Sequence, residues 1–169
     1  MCSLKKQDIN ELDLYNKDFK YLGLAAEIAE NSQMLMRHGA VVTCKNQVIG
    51  CGYNINRVQF KDNFIGNSCS LHAEMNALRQ AMTQYPKAAS KQNLTMYVVR
   101  CNKSGKLIDS APCANCHKKM LESGIRTLVY SLSDGKILKQ YLKDYTPRRD
   151  YRTQENYTDW FIKEKVLEK

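Results

Sequence analysis

Residues 112–130, PCANCHKKMLESGIRTLVY, decide how the chain is read. Pro112 leads into a short amphipathic stretch, and the spacing predicts a helix over 113–123. Gly124 follows as a left-handed helix stop. Residues 125–130, with Ile125, Leu128 and Val129, then read as a strand. Working back, residues 94–100 read as a strand centred on Val98 and Val99, with a loop over 101–111. Before it, Leu71, Met75, Leu78 and Met82 step by four, three and four, an apolar stripe that predicts a helix over 71–84. Ser70 fits as its N-cap, and Tyr85-Pro86 closes it. This helix–strand alternation implies a layered α/β domain around one central sheet.

The flanks extend the pattern. Phe19, Leu22, Ala26 and Ala29 fall on one helical face, so a helix is expected over about 19–35, with Gly39 as punctuation. Residues 40–44 and 47–52 read as strands, and the short Lys45-Asn46 link makes them an antiparallel hairpin. Residues 54–70 are polar with isolated Phe60 and Phe64, and read as a long loop. After the turn at Ser133-Asp134-Gly135, residues 136–142 fit either an antiparallel strand or a helix; the short connection favours the strand. A C-terminal helix is expected over 153–169, burying Tyr157, Trp160 and Phe161.

Composition narrows the class. With 169 residues and 43% hydrophobic content, one domain with its own core is expected. Gly and Pro together number 11, from 8 and 3, too few for a fibrous or disordered chain. No apolar run approaches the roughly 20 residues that span a bilayer, and no apolar secretory leader opens the chain, so a cytoplasmic protein without membrane attachment is expected. The 7 cysteines make a poor disulfide framework, being odd in number and scattered. Cys44, Cys51 and Cys101 sit in strand-like runs and read as small core residues.

Two short motifs remain that carry chemistry. In Pro112-Cys113-Ala114-Asn115-Cys116, two sulfurs three residues apart at a helix start project to one side, where the helix dipole favours thiolates. In His72-Ala73-Glu74, an imidazole and a carboxylate open another helix. One imidazole and two thiolates offer zinc (Zn2+) three ligands and leave its fourth tetrahedral position open, as in a catalytic site. Glu74 is then placed to move a proton to and from the substrate. Each motif is weak alone: Cys-x-x-Cys also serves redox or structural zinc, and His-x-Glu is common. Together, His-x-Glu followed by Pro-Cys-x-x-Cys is the signature of zinc nucleobase deaminases.

On these residues the chain resembles the cytidine and deoxycytidylate deaminase superfamily over about residues 19–142. The resemblance implies a three-layer α/β/α cytidine-deaminase-like fold with a central mixed sheet of about five strands. It implies zinc held by His72, Cys113 and Cys116, Glu74 as the acid/base, and Asn54 and Ala73 as substrate-binding positions. Asn54, in Gly52-Tyr53-Asn54, also reads as a plain turn residue. The implied reaction is hydrolytic deamination at C4 of cytosine or C6 of adenine with release of ammonia. A homodimer or larger homo-oligomer is implied by resemblance only.

The branch stays open at this level. The His ligand resembles the deoxycytidylate, tRNA-adenosine and polynucleotide cytidine branches, and His72-Ala73-Glu74-Met75-Asn76-Ala77 with Gly52-Tyr53-Asn54 is most similar to deoxycytidylate deaminases. Ile55-Asn56-Arg57 departs from the Gly and Pro that deoxycytidylate deaminases usually carry there. An antiparallel last strand resembles free-nucleoside enzymes instead. Charge adds a further clue, since residues 79–126 hold 9 basic and 2 acidic side chains of the 26 and 17 in the chain. That excess brackets the paired cysteines and suits a phosphate-bearing substrate, or nucleic acid, or merely a solvated surface. Arg148, Arg149 and Arg152 form a second cluster. The readings are a cytosine nucleoside or nucleotide deaminase, a polynucleotide deaminase, and a silent zinc module that binds nucleic acid.

Overall fold

A computed structural model describes residues 11–56, 70–91 and 93–147 of the chain. In chain order the elements are α1 (Asn16–Ala29), β1 (Arg37–Cys44), β2 (Gln47–Tyr53), β3 (Ile55–Asn56), β4 (Ser70–Leu71), α2 (Ala73–Gln84) and α3 (Pro86–Ala89). β5 (Leu94–Cys101), β6 (Leu107–Ile108), α4 (Ala114–Glu122), β7 (Ile125–Ser131) and β8 (Ile137–Tyr141) follow, with a 3-10 turn over Leu142–Asp144. The expected C-terminal helix lies outside the described residues, as do Phe60, Phe64, Cys2, Cys69 and the arginines at 148, 149 and 152.

The main sheet runs β2-β1-β5-β7-β8, and β6 pairs with the far end of β5. β1 is antiparallel to both β2 and β5, while β5 and β7 are parallel, joined through α4. β8 is an antiparallel strand, paired from Thr127↔Tyr141 to Ser131↔Ile137. The strand reading of residues 136–142 therefore holds, because Gly135 takes φ +81 and Leu132 N–H donates to Lys136 C=O, closing a turn too tight for a crossover. The helical stripe that competed with it ends in Leu142 and Tyr145, which are buried from the 3-10 turn and its exit.

Strand pleating splits the core into two faces. Ala40, Val42, Met96, Val98, Leu128 and Leu138 point to one side, against α2 and α4. Val41, Tyr97, Val99 and Val129 point to the other, against α1 through Tyr21, Leu22, Ala25 and Ala29. The result is the expected α/β/α arrangement around a mixed sheet. No helix among the described residues is long and apolar enough to cross a membrane.

Several sequence boundaries move. α1 ends at Ala29, not near 35, and its buried face is Asp18, Tyr21, Leu22, Ala25 and Ala29. Phe19 is 55% exposed, because a buried polar cluster built on Asp18 turns the helix by one position. Gly39 is no terminator but lies inside β1, where a Cβ would strike the Ala25 carbonyl of α1. On the opposite face a Cβ at Gly50 would strike the Ala77 carbonyl, so α2 docks closely through Ala73, Ala77 and Ala81. Ser70 belongs to β4, and the N-cap of α2 is His72. Cys44 and Cys101 are core residues as expected, whereas Cys51 is half-buried.

Candidate active site

The N-termini of α2 and α4 meet on one face of the sheet. His72 caps α2 in extended backbone, with Glu74 in the first turn. Cys113 caps α4, and its sulfur accepts from the Cys116 N–H at 3.5 Å. His72 Nδ1 lies 3.7 Å from Cys113 Sγ and 3.3 Å from Cys116 Sγ. All three donor atoms fall within 4.8 Å of one another. One imidazole nitrogen and two sulfurs at that spacing fit zinc, a borderline-soft cation that takes such ligands tetrahedrally.

Ionisation matches the geometry. The Cys116 thiol beside it, together with His72, brings Cys113 down to about 4 against the cost of burial. Cys113 in turn raises His72 to about 9. Cys116 is pushed well up, by its hydrogen bond to Cys113 and by burial. Burial likewise raises the Glu74 carboxyl, which is only 4% exposed. A buried carboxyl with a raised pKa, beside donors for a cation, is a group that can hold and release a proton.

The scaffold around Cys113 explains its placement. Ser110 Oγ donates to the Val98 carbonyl at 2.8 Å and accepts from the Ser131 N–H, pinning the approach to α4 between β5 and β7. Tyr145 Oη donates to the Pro112 carbonyl at 2.6 Å, and its ring stacks edge-on to Tyr130. The chain after β8 thus returns to brace the residue before Cys113. The two partners lie 33 residues apart in the chain, so no local spacing announces this contact.

A cavity of about 200 Å³ opens here, lined by Asn54, His72, Ala73, Glu74 and Cys113. The predicted site residues therefore come together, with Cys116 buried beside them. A larger cleft of about 430 Å³ lies at the opposite end of the sheet, between the end of α4, the start of β7 and Tyr141. Among the described residues its lining has no imidazole or thiol. Ala73 is fully buried and offers the cavity only its backbone as polar surface.

Asn54 is largely committed to the fold. Its Oδ1 accepts from the His38 N–H at 2.8 Å, and its Nδ2 donates to the Met36 carbonyl at 2.9 Å, with Met34 Sδ at 3.0 Å. These backbone partners also fix which end of the amide is oxygen. Met34, Met36 and His38 line the cavity as well, and none was singled out from sequence. His38 lies on the face of Ala40 and Val42, opposite Arg100 across the strand pair. Burial, followed by the positive charges of Arg100 and His72, lowers its imidazole to about 4.

The basic excess of residues 79–126 disperses in three dimensions. Lys87 and Lys91 follow the C-terminal end of α2, and Arg126 opens β7 at the opposite end of the sheet from the cavity. Lys119 pairs with Glu122 along α4. Arg100, at the end of β5, and exposed Lys103 and Lys106 lie at the end where the cavity opens.

The family model for the cytidine and deoxycytidylate deaminase zinc-binding region matches residues 15–132. A search of curated proteins finds no match. Among solved structures, a cytidine deaminase from Burkholderia pseudomallei is 19% identical, with a TM-score of 0.55 over 75% of this chain and 93% of that one. The apo dCMP deaminase from the cyanophage S-TIM5 is 20% identical, with a TM-score of 0.52 over 71% and 86%. A mutant cytidine deaminase from Mycobacterium tuberculosis is 18% identical, with a TM-score of 0.51 over 78% and 94%. At these identities the neighbours speak for the fold alone, which agrees with the sheet described above. The match spans the larger part of the chain and includes both motifs, and the chain belongs to the cytidine and deoxycytidylate deaminase family of zinc-dependent hydrolytic deaminases.

Proposed function

We propose that the protein converts the cytosine ring of a nucleoside or nucleotide to uracil with release of ammonia. One observation carries the reading: the donor atoms of His72, Cys113 and Cys116 converge within 4.8 Å beside a cavity that Glu74 also lines. His72, Cys113 and Cys116 would hold zinc, which supplies a Lewis acid that lowers the pKa of water to roughly 7. Glu74 accepts a proton from water and delivers it to the ring nitrogen as the hydroxide adds to the amino-bearing carbon. It then takes the proton of the added hydroxyl and passes it to the amine, which leaves as ammonia as the carbon–nitrogen bond breaks and the carbonyl forms. Its burial excludes bulk water and keeps that proton local.

The cavity, about 200 Å³, is large enough to hold a single base. The antiparallel β8 supports the free-nucleoside end of this reading, the branch whose last strand it resembles. The polynucleotide reading keeps one supporting observation, the exposed Lys103 and Lys106 beside Arg100. Ammonia release from cytidine, deoxycytidine, deoxycytidylate and a tRNA or single-stranded panel separates the two. Turnover of the small substrates is expected. Turnover confined to polymers, falling steeply with salt, would refute the small-substrate reading.

A further inference from the structure

The cavity's polar side chains can be accounted for one by one. His72 and Cys113 turn toward each other and Cys116, and Glu74 is nearly sealed from solvent. The Asn54 amide already serves the backbone of Met36 and His38. That leaves His38, half-buried in β1 and on the same face of the sheet as the site.

We infer that His38 is the side chain that receives the 2′- or 3′-hydroxyl of the substrate's sugar, an assignment that rests on the deaminase reading above. Depth supports it. Glu74 is 4% exposed, whereas Met36, two residues before His38, is 38% exposed, so the cavity runs from a deep reacting end to a mouth near His38. With the amino-bearing carbon at Glu74, the sugar lies toward His38. Chemistry supports it as well. Burial, and then the Arg100 guanidinium opposite His38 on the paired strand, disfavour a further proton on the ring. A neutral imidazole has one N–H and one bare nitrogen. The Met36 carbonyl can engage only the N–H. The bare nitrogen needs a donor, which a pentose hydroxyl supplies and which an ionised phosphate or the 2-oxo group of cytosine lacks.

The experiment pairs two variants with two substrates. His38→Val and His38→Gln are assayed on cytidine and on 2′,3′-dideoxycytidine, as nucleosides or as 5′-monophosphates, with zinc content and the dissociation constant of cytidine measured alongside. His38→Val is expected to raise KM for cytidine about tenfold, the equivalent of one hydrogen bond, with kcat and zinc unchanged. The penalty should shrink below about twofold on the dideoxy substrate, and His38→Gln, which keeps an acceptor, should recover most of it. An equal penalty on both substrates, or none on either, overturns the assignment and leaves His38 a structural residue. A zinc-loaded wild type that turns over no cytosine substrate overturns the deaminase reading instead. Cytidine binding that is unchanged by His38→Val would overturn the His38 assignment even then.

Discussion

Two buried polar clusters face each other across the sheet, and they differ in how their hydrogen bonds are satisfied. On the α1 side, Asp18 is 1% exposed; its Oδ1 accepts from Tyr97 Oη, and its Oδ2 from the Tyr15 N–H and Lys139 Nζ, all at 2.8 Å. Each charge there has its counterpart, so the cluster is a joint between α1, β5 and β8. On the α2 side, an imidazole, two sulfurs and a carboxyl crowd together at two helix N-termini. Those groups favour one another only partly, as the opposed shifts of Cys113 and Cys116 show. A closed buried network stabilises a fold; an open one with a soft donor set suits a cation and a substrate.

The contrast is broken most sharply at a ligand. Cys116→Ser should weaken zinc binding by more than the roughly 100-fold that losing an outer hydrogen-bond partner costs, read by metal analysis after dialysis. It should leave the Asp18 side of the sheet in place. The reciprocal substitution, Asp18→Ala, strands Lys139 without its partner and should cost about 3 kcal/mol in chemical denaturation while bound zinc stays at one per chain. Loss of zinc in that variant would mean the two clusters are one unit.

Smaller effects sharpen the same division. A Cβ at Gly50 meets α2 and one at Gly39 meets α1, so each alanine variant should lose about 1–3 kcal/mol. Only Gly50→Ala should also weaken zinc binding, because α2 carries His72. The smallest effect is acid dependence. Burial works to raise the Asp18 carboxyl, but Lys139, the Tyr15 N–H and Tyr97 outweigh it and hold it below the ordinary 3.8. Its contribution is complete above that value and is lost as pH falls through the lower folded pKa. Asp18→Asn should therefore lower stability near neutrality, where the charge of Asp18 contributes in full, and flatten the acid limb of the profile below about pH 4.

What could be read from sequence was what lies close along the chain. His72-Ala73-Glu74 and Cys113-Ala114-Asn115-Cys116 announce themselves because helix starts fix their geometry within a turn. The turn at Gly135 likewise made β8 antiparallel. Contacts between distant segments were not legible. The face of α1 depends on Lys139, 121 residues beyond Asp18, so periodicity placed Phe19 inward and was wrong by one position. The use of Asn54 depends on the backbone of residues 36–38, which no spacing rule reveals. His38 carried one faint signal, a polar residue two positions before Ala40 on the pleat of β1. The basic excess was real in sequence but scattered by the fold.

The central claim is tested most directly by ammonia release from cytosine nucleosides and nucleotides, comparing wild type with Glu74→Gln while zinc is quantified in both. The account predicts turnover by the wild type, one zinc per chain in each protein, and a loss of about 10²–10⁴-fold in kcat for the variant. Equal rates in the two proteins, or full zinc with no turnover of any cytosine substrate by the wild type, would contradict it.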